Sequence, residues 1–130
     1  MLKSLLAVML GGSIGSGLRF LASVGVSRLY SGPFPLGTFL VNISGSFVVG
    51  LLMAFFVLRS EVSPAWRLFL VTGVLGGYTT FSSFEWETFA LLDRGAPLIA
   101  LLNILLSVIL GFGGVMLGAF LTGRLRGESY

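Results

Sequence analysis

A cluster of polar residues lies inside an apolar run that is otherwise suited to lipid. The run covers about 64–92, and the cluster within it, 73–87, reads G-V-L-G-G-Y-T-T-F-S-S-F-E-W-E. As one unbroken helix at about 1.5 Å per residue the run would be roughly 43 Å long, more than the roughly 30 Å of bilayer hydrocarbon but too short for two spans. This length predicts one membrane span that is broken near its middle.

The composition places the rest of the chain in a membrane as well. Of 130 residues, 55% are hydrophobic and only 10% are charged, and the mean hydropathy is +1.02, which excludes an ordinary soluble domain. The absence of Cys and His removes disulfides, thiol chemistry and the commonest metal ligands, so the sequence does not indicate an enzyme. The net charge of +3 comes from basic residues scattered at segment ends, which predicts membrane anchors and no nucleic-acid partner.

Four apolar stretches of spanning length occur in order. They cover about 4–26, 36–58, 64–92 and 96–122, with turns at 32–35, 59–63 and 93–95. The chain is therefore predicted to be a single all-α domain over residues 1–130 with four transmembrane helices.

Basic residues are divided almost evenly between the two sides of this predicted bundle. The side with both termini has Lys3, Arg59, Arg67, Arg124 and Arg126, and the other side has Arg19, Arg28 and Arg94. A bias this small is what insertion in both orientations requires, whereas a single orientation with cytoplasmic termini is the alternative.

The interruption of the third span is predicted at the glycine pair Gly76–Gly77. Paired glycines are costly in a helix, and the hydroxyls of Thr79 and Thr80 compete for backbone bonds directly afterwards. Carbonyls freed there must be buried in protein, face water or coordinate an ion. A glycine-lined packing kink is the alternative.

Aromatic and hydroxyl side chains follow the interruption at helical spacing. Phe81 and Phe84 share one face, and Thr80, Ser83 and Glu87 share a neighbouring one. Because the edge of an aromatic ring is positive, two such edges suit a small anion without trapping it. The alternative is that the two rings are simply core residues.

Polar residues also lie within the other apolar stretches. Asn42 is at membrane depth and must hydrogen-bond across an interface or face water, where its amide donates to an anion. Asn103 and Ser107 are four apart, and either extend a polar track or bond to a neighbouring helix. Arg19 either reaches the headgroups or faces an aqueous vestibule.

Small residues recur four apart in the first and last stretches, as in Gly11/Gly15 and Gly114/Gly118. This spacing lets helices approach closely, and we expect it to serve assembly between chains. Packing within one chain is the alternative.

Three motifs together resemble a known family. They are G-G-Y-T-T-F-S-S-F at 76–84, G-T-F-L-V-N at 37–42 and G-G-S-I-G-S-G-L-R at 11–19, and they are similar to motifs of the Fluc (CrcB) fluoride channels. The resemblance implies an antiparallel, dual-topology homodimer in the bacterial inner membrane, with two pores that export fluoride passively. It also implies a structural Na⁺ at the dimer interface, held by the backbone carbonyls of Gly76 and Thr79.

The resemblance and the residue patterns together predict the functional residues. The anion pathway comprises Thr38, Asn42, Thr80, Phe81, Ser82, Ser83, Phe84, Asn103 and Ser107, with Arg19 in the vestibule. Glu85 departs from the family, which usually has a small residue there, and we expect its side chain to point away from the path. A dual-topology transporter for protons or small molecules, with Glu85 or Glu87 as its titrating group, is the alternative function.

Overall fold

The computed structural model describes residues 1–59 and 61–124. Arg126, counted above among the basic residues, and Ser60, in the turn at 59–63, lie outside that part. Within it the regular secondary structure is all helical, with no strand. The elements are α1 (Leu2–Leu29), α2 (Leu36–Leu58), α3 (Pro64–Arg67), a π-helical segment (Leu68–Leu75), α4 (Gly76–Tyr78), α5 (Phe81–Asp93) and α6 (Pro97–Arg124).

Three of the described helices are long and apolar enough to cross a membrane, namely α1, α2 and α6. They have 28, 23 and 28 residues, so each exceeds the about 20 residues that hydrocarbon requires. They coincide with three of the four predicted stretches. α1 and α6 run two or three residues beyond those stretches at one or both ends.

The third apolar stretch contains α3, the π-helical segment, α4 and α5, with two extended residues before α5. Thr79 has ψ 158°, and Thr80 has φ −150° and ψ 120°. The glycine pair Gly76–Gly77 is itself helical, so the extended residues follow the position predicted from the sequence. The physical reason is that the threonine backbone finds a partner outside the helix, as described below.

The helices pack as two pairs. α2 packs mainly against α6, whereas α1 packs against the π-helical segment and α4. Beyond the extended residues the chain leaves α1, and α5 packs mainly on α6. Residues 79 and 80 therefore carry the third stretch from one helix pair to the other.

Glycines permit the closest helix contacts within the chain. A Cβ on Gly15 would overlap the carbonyl oxygen of Val74, and one on Gly118 would overlap that of Phe47. Gly11 and Gly50 meet carbonyl groups of neighbouring helices in the same way. These small residues thus pack within one chain, which is the alternative to the assembly role expected from their spacing.

Candidate functional site

The extended residues form one wall of a cavity between α2, α5 and α6. Its volume is about 310 Å³. It is lined by Asn42, Ser46, Val49, Thr79, Thr80, Phe81, Phe84, Ser107, Val108 and Val115. Five residues predicted for the anion pathway, from three separate apolar stretches, therefore meet here; we call this space the phenylalanine cavity.

Asn42 holds the backbone of Thr80 in its extended conformation. The Asn42 Nδ2 donates to the Thr80 carbonyl over 2.9 Å, and the Thr80 N–H donates to Asn42 Oδ1 over 2.8 Å. The Asn42 side chain thus replaces the two hydrogen bonds that the N–H and the carbonyl of Thr80 would make inside a helix. The sequence left open whether this amide bonds across an interface or donates to an anion; it bonds across the α2 interface, and Nδ2 keeps a second hydrogen.

Thr80 is the N-cap of α5. Its Oγ1 accepts from the Ser83 N–H over 3.2 Å and donates to the Ser83 hydroxyl over 3.0 Å. A hydroxyl has one hydrogen and two acceptor lone pairs, so that of Ser83 still has its own hydrogen to give. Within the described chain no hydrogen bond from the Ser83 hydroxyl is found, which leaves it as a free donor beside the cap.

The two phenylalanines of α5 form a pair with unequal exposure. Their ring centroids are 5.8 Å apart with an angle of 36° between the ring planes. Phe84 is partly buried, whereas 71% of Phe81 is exposed in the single chain. Phe81 is therefore no core residue of this chain, and its ring is open to an ion or to another molecule.

A second cavity of about 350 Å³ lies on the other side of Thr80, between α1, α2 and α5. It is lined by Ser16, Arg19, Phe20, Ser23, Thr38, Val41, Thr80, Ser83 and Glu87. The Arg19 Nη1 lies 3.5 Å from the Thr79 carbonyl oxygen, so the guanidinium reaches inward. Since Thr80 lines both spaces, we name this one the arginine cavity and treat the two as neighbours.

A carboxyl group closes the far side of the arginine cavity. The Thr38 hydroxyl donates to Glu87 Oε1 over 2.8 Å. The other oxygen, Oε2, is buried and has no hydrogen-bond partner in the described part of the chain. Thr38 therefore lies beside Glu87 and not in the phenylalanine cavity.

Two of the predicted pathway residues line neither cavity. Asn103 is only 1% exposed and donates from Nδ2 to Thr88 Oγ1 over 2.8 Å, which is the helix-to-helix bond kept above as its alternative. Ser82 is exposed on α5. Ser107 joins the two groups, because it lines the phenylalanine cavity and its hydroxyl lies 3.5 Å from Asn103 Oδ1.

Comparison with known proteins gives the family. The sequence profile described as CrcB-like protein, Camphor Resistance (CrcB), matches residues 6–119. The chain belongs to the CrcB family. That match includes every residue that lines the two cavities.

Several curated CrcB relatives are similar over nearly their whole length. The fluoride-specific ion channel FluC of Solibacter usitatus is 48% identical over 119 residues, covering 92% of this chain and 98% of the relative. FluC of Methylobacterium nodulans is 47% identical, with coverage of 85% and 88%, and FluC 1 of Nitrobacter hamburgensis is 42% identical, with coverage of 88% and 90%. With its three long apolar helices, this CrcB protein is a multi-pass bacterial membrane protein.

Sequence reasoning missed Thr88. Its hydroxyl donates to the Phe84 carbonyl over 2.7 Å and accepts from Asn103, so it connects α6 to the backbone of a cavity-lining residue. The available signal was its position four residues after Phe84, where a threonine hydroxyl reaches the carbonyl one turn back.

The departure from the CrcB pattern at Glu85 lies away from both cavities. Glu85 and Trp86 are exposed on α5, and the Trp86 ring packs on that of Phe89 with centroids 5.8 Å apart. The Glu85 side chain therefore lines neither cavity.

Proposed function

We propose that this CrcB protein is a fluoride channel of the bacterial inner membrane and not an enzyme. The observation that carries the proposal is the phenylalanine cavity, which is lined by two phenylalanine rings, an amide and several hydroxyl residues and has no charged side chain in its lining. The relatives named above as fluoride-specific ion channels support it.

This lining suits an ion that is small and strongly hydrated. A selective path must replace water with several modest donors and avoid one deep charged well. The Asn42 amide keeps a hydrogen for the ion after bonding Thr80, and Phe81 and Phe84 offer positive ring edges. The membrane potential drives export with about 2.3 kcal/mol per charge per 100 mV, so neither ATP nor proton coupling is needed.

We assign the arginine cavity to the vestibule of the same path. The Arg19 guanidinium attracts anions, and the free hydroxyl of Ser83 beside the α5 N-cap lines the same cavity. Thr38 and Ser107 contribute hydroxyls on either side. Asn103 and Ser82, which line neither cavity, are left out of direct ion contact in this scheme.

The third stretch is proposed to be a broken transmembrane helix. In support, the extended backbone of Thr79 and Thr80 borders two cavities, where non-helical backbone is tolerated at membrane depth. Asn42 satisfies both polar groups of Thr80, which removes the main cost of a break in lipid.

Two copies of the chain are proposed to pack antiparallel, each with one pathway. The near-even division of basic residues supports insertion in both orientations. Phe81 lines a cavity yet is largely exposed in the single chain, so a second copy would complete the wall beside it.

A sodium ion between the copies fits the carbonyls of Gly76 and Thr79. In an unbroken helix the Thr80 N–H would donate to the Gly76 carbonyl, but it donates to Asn42 instead. In the same way the Ser83 N–H would donate to the Thr79 carbonyl, but it donates to the Thr80 hydroxyl. Arg19 approaches the Thr79 oxygen at the 3.5 Å limit of a hydrogen bond and leaves a lone pair. Neutral oxygens suit a hard cation, which supplies positive charge that lowers the cost of an anion nearby.

Efflux of fluoride from liposomes tests this function. Purified protein should release fluoride rapidly, as read by a fluoride electrode, and a pH gradient should leave the rate unchanged. The buried, unpartnered oxygen of Glu87 favours the rival function, proton-coupled transport. Slow flux that follows the pH gradient would establish that rival, and no flux would exclude both.

A further inference from the structure

One buried amide is linked to two lining residues of the phenylalanine cavity, to Ser107 directly and to Phe84 through Thr88, without lining the cavity itself. Asn103 has 1% of its surface exposed and lies on α6 behind the cavity. Its Nδ2 donates to the hydroxyl of Thr88 over 2.8 Å, and its Oδ1 lies 3.5 Å from the hydroxyl of Ser107, at the limit of a hydrogen bond.

Each of these two bonds leads to a residue that lines the cavity. Thr88, which is 7% exposed, donates its hydrogen to the Phe84 carbonyl over 2.7 Å. Phe84 and Ser107 are themselves cavity-lining residues from α5 and α6. The buried pair Asn103–Thr88 is therefore connected to the backbone carbonyl of Phe84 and to the hydroxyl of Ser107.

We propose that Asn103 and Thr88 are positioning residues that set the separation of Phe84 and Ser107 across the cavity. The proposal rests on the proposed channel function. Asn103 acts through these two neighbours and makes no contact with the ion.

Three features make this pair suited to fixing a distance. Both side chains are buried, so water does not compete for their hydrogen bonds. The hydrogen bonds also permit only one arrangement of donors and acceptors, because the Thr88 hydroxyl gives its hydrogen to the Phe84 carbonyl and accepts from Asn103 through a lone pair. Finally, α5 packs mainly on α6, so this bond is at the interface that holds Phe84 in place.

The test is the current through single channels in planar bilayers. Thr88→Val has the same shape and removes the hydroxyl, and Asn103→Leu removes the amide. Each should lower the unitary fluoride current about fivefold, which corresponds to ~1 kcal/mol in the barrier, the net value of one hydrogen bond. Thr88→Ser keeps the hydroxyl and should restore most of the current.

Thr122→Val is the matched control. The Thr122 hydroxyl also bonds a neighbouring helix, donating to the Leu51 carbonyl over 3.2 Å, but it lies outside both cavities. This variant should lose thermal stability as Thr88→Val does and keep its unitary current. The unitary current is measured on assembled channels, so a merely structural role would not change it.

Two results would overturn the proposal in different ways. If wild-type channels conduct and Thr88→Val conducts equally while melting at a lower temperature, the pair serves stability alone. If the wild-type protein carries no fluoride current, the proposed function fails and this inference fails with it. Should Asn103→Leu not assemble, the comparison of Thr88→Val, Thr88→Ser and Thr122→Val decides the matter.

Discussion

At the scale of single residues, the site is built from side chains that bond backbone groups. Asn42 takes the N–H and carbonyl of Thr80, and Thr80 caps α5 through the Ser83 N–H. An extended peptide in lipid is stable only when such partners exist, because each unsatisfied polar group costs several kcal/mol. The first role of these polar side chains is therefore to stabilise the extended backbone, and any contact with an ion is a second role.

Removing the Asn42 amide should lower both the stability of the protein and its fluoride efflux. Asn42→Leu leaves both backbone groups of Thr80 unpaired, at a cost of at least about 2 kcal/mol, and should lower the melting temperature and the fluoride efflux together. Ser46→Ala is the control for stability, since Ser46 lines the same cavity and should melt like wild type. An unchanged melting temperature for Asn42→Leu would contradict the role assigned to this amide.

Replacing both rings should separate conduction from assembly. The double variant Phe81→Ile with Phe84→Ile keeps apolar bulk but has no positive ring edge, so fluoride efflux should be lost. Size-exclusion chromatography should show the same oligomer as wild type, because isoleucine keeps the apolar surface that Phe81 offers to a second copy. Efflux at the wild-type rate would remove the rings from the mechanism.

At the scale of helices, hydrophobic patterning predicted the three long apolar helices, whereas the position of the extended residues had to come from the structure. The stretches at 4–26, 36–58 and 96–122 coincide with three described helices, because length and hydropathy alone decide what crosses lipid. The extended residues follow the predicted glycine pair, since their position depends on Asn42, 38 residues away. Long-range partners of this kind leave no local signal in the sequence, and the Thr88–Asn103 bond was missed for the same reason.

The roles of the small residues also needed the structure. The spacing of Gly11/Gly15 marks a close contact but does not name the partner, and the contact lies within the chain, against the π-helical segment. Five of the predicted pathway residues meet in one cavity because helical periodicity places side chains on faces correctly. Ser82 and Asn103 fall outside because periodicity does not fix how helices are rotated.

Paired alanine substitutions on α1 test the contact geometry. Gly15→Ala places a methyl group against the Val74 carbonyl and should lower the melting temperature markedly. Gly25→Ala meets nothing within 4 Å in the chain and should be neutral or stabilising by up to about 1 kcal/mol, since alanine is the better helix former. Equal melting temperatures for the two variants would show that α1 does not pack as described.

At the scale of the whole molecule, one chain presents an incomplete wall. Phe81 is exposed beside the phenylalanine cavity, and Gly76, with its freed carbonyl, lies on an exposed surface of the chain. Both features are consistent with a second copy on that side. Orientation and cation content are the two properties of the assembly that follow from the proposed function.

Labelling tests the proposed insertion in two orientations. The sequence has no cysteine, so Ser31→Cys in the loop between α1 and α2 introduces one reactive thiol. A membrane-impermeant maleimide applied to intact cells should label about half of the copies, because near-balanced basic residues give no strong preference. Labelling of all copies or of none would rule out the antiparallel dimer.

Sodium removal should loosen the dimer. If sodium binds the Gly76 and Thr79 carbonyls as proposed, its exchange for N-methylglucamine in detergent should lower the melting temperature, and monomer should appear on size exclusion. Re-addition of sodium should reverse both changes. A dimer that melts identically in either salt would show that no exchangeable sodium stabilises it.

The bond between Asn42 and Thr80 also implies an order of biogenesis. The Asn42 side chain precedes the two backbone groups that it satisfies by 38 residues, so α2 is synthesised before residue 80. Both groups are then satisfied within a single nascent chain. Each copy can therefore form this bond before it meets a second copy, in either membrane orientation of that copy.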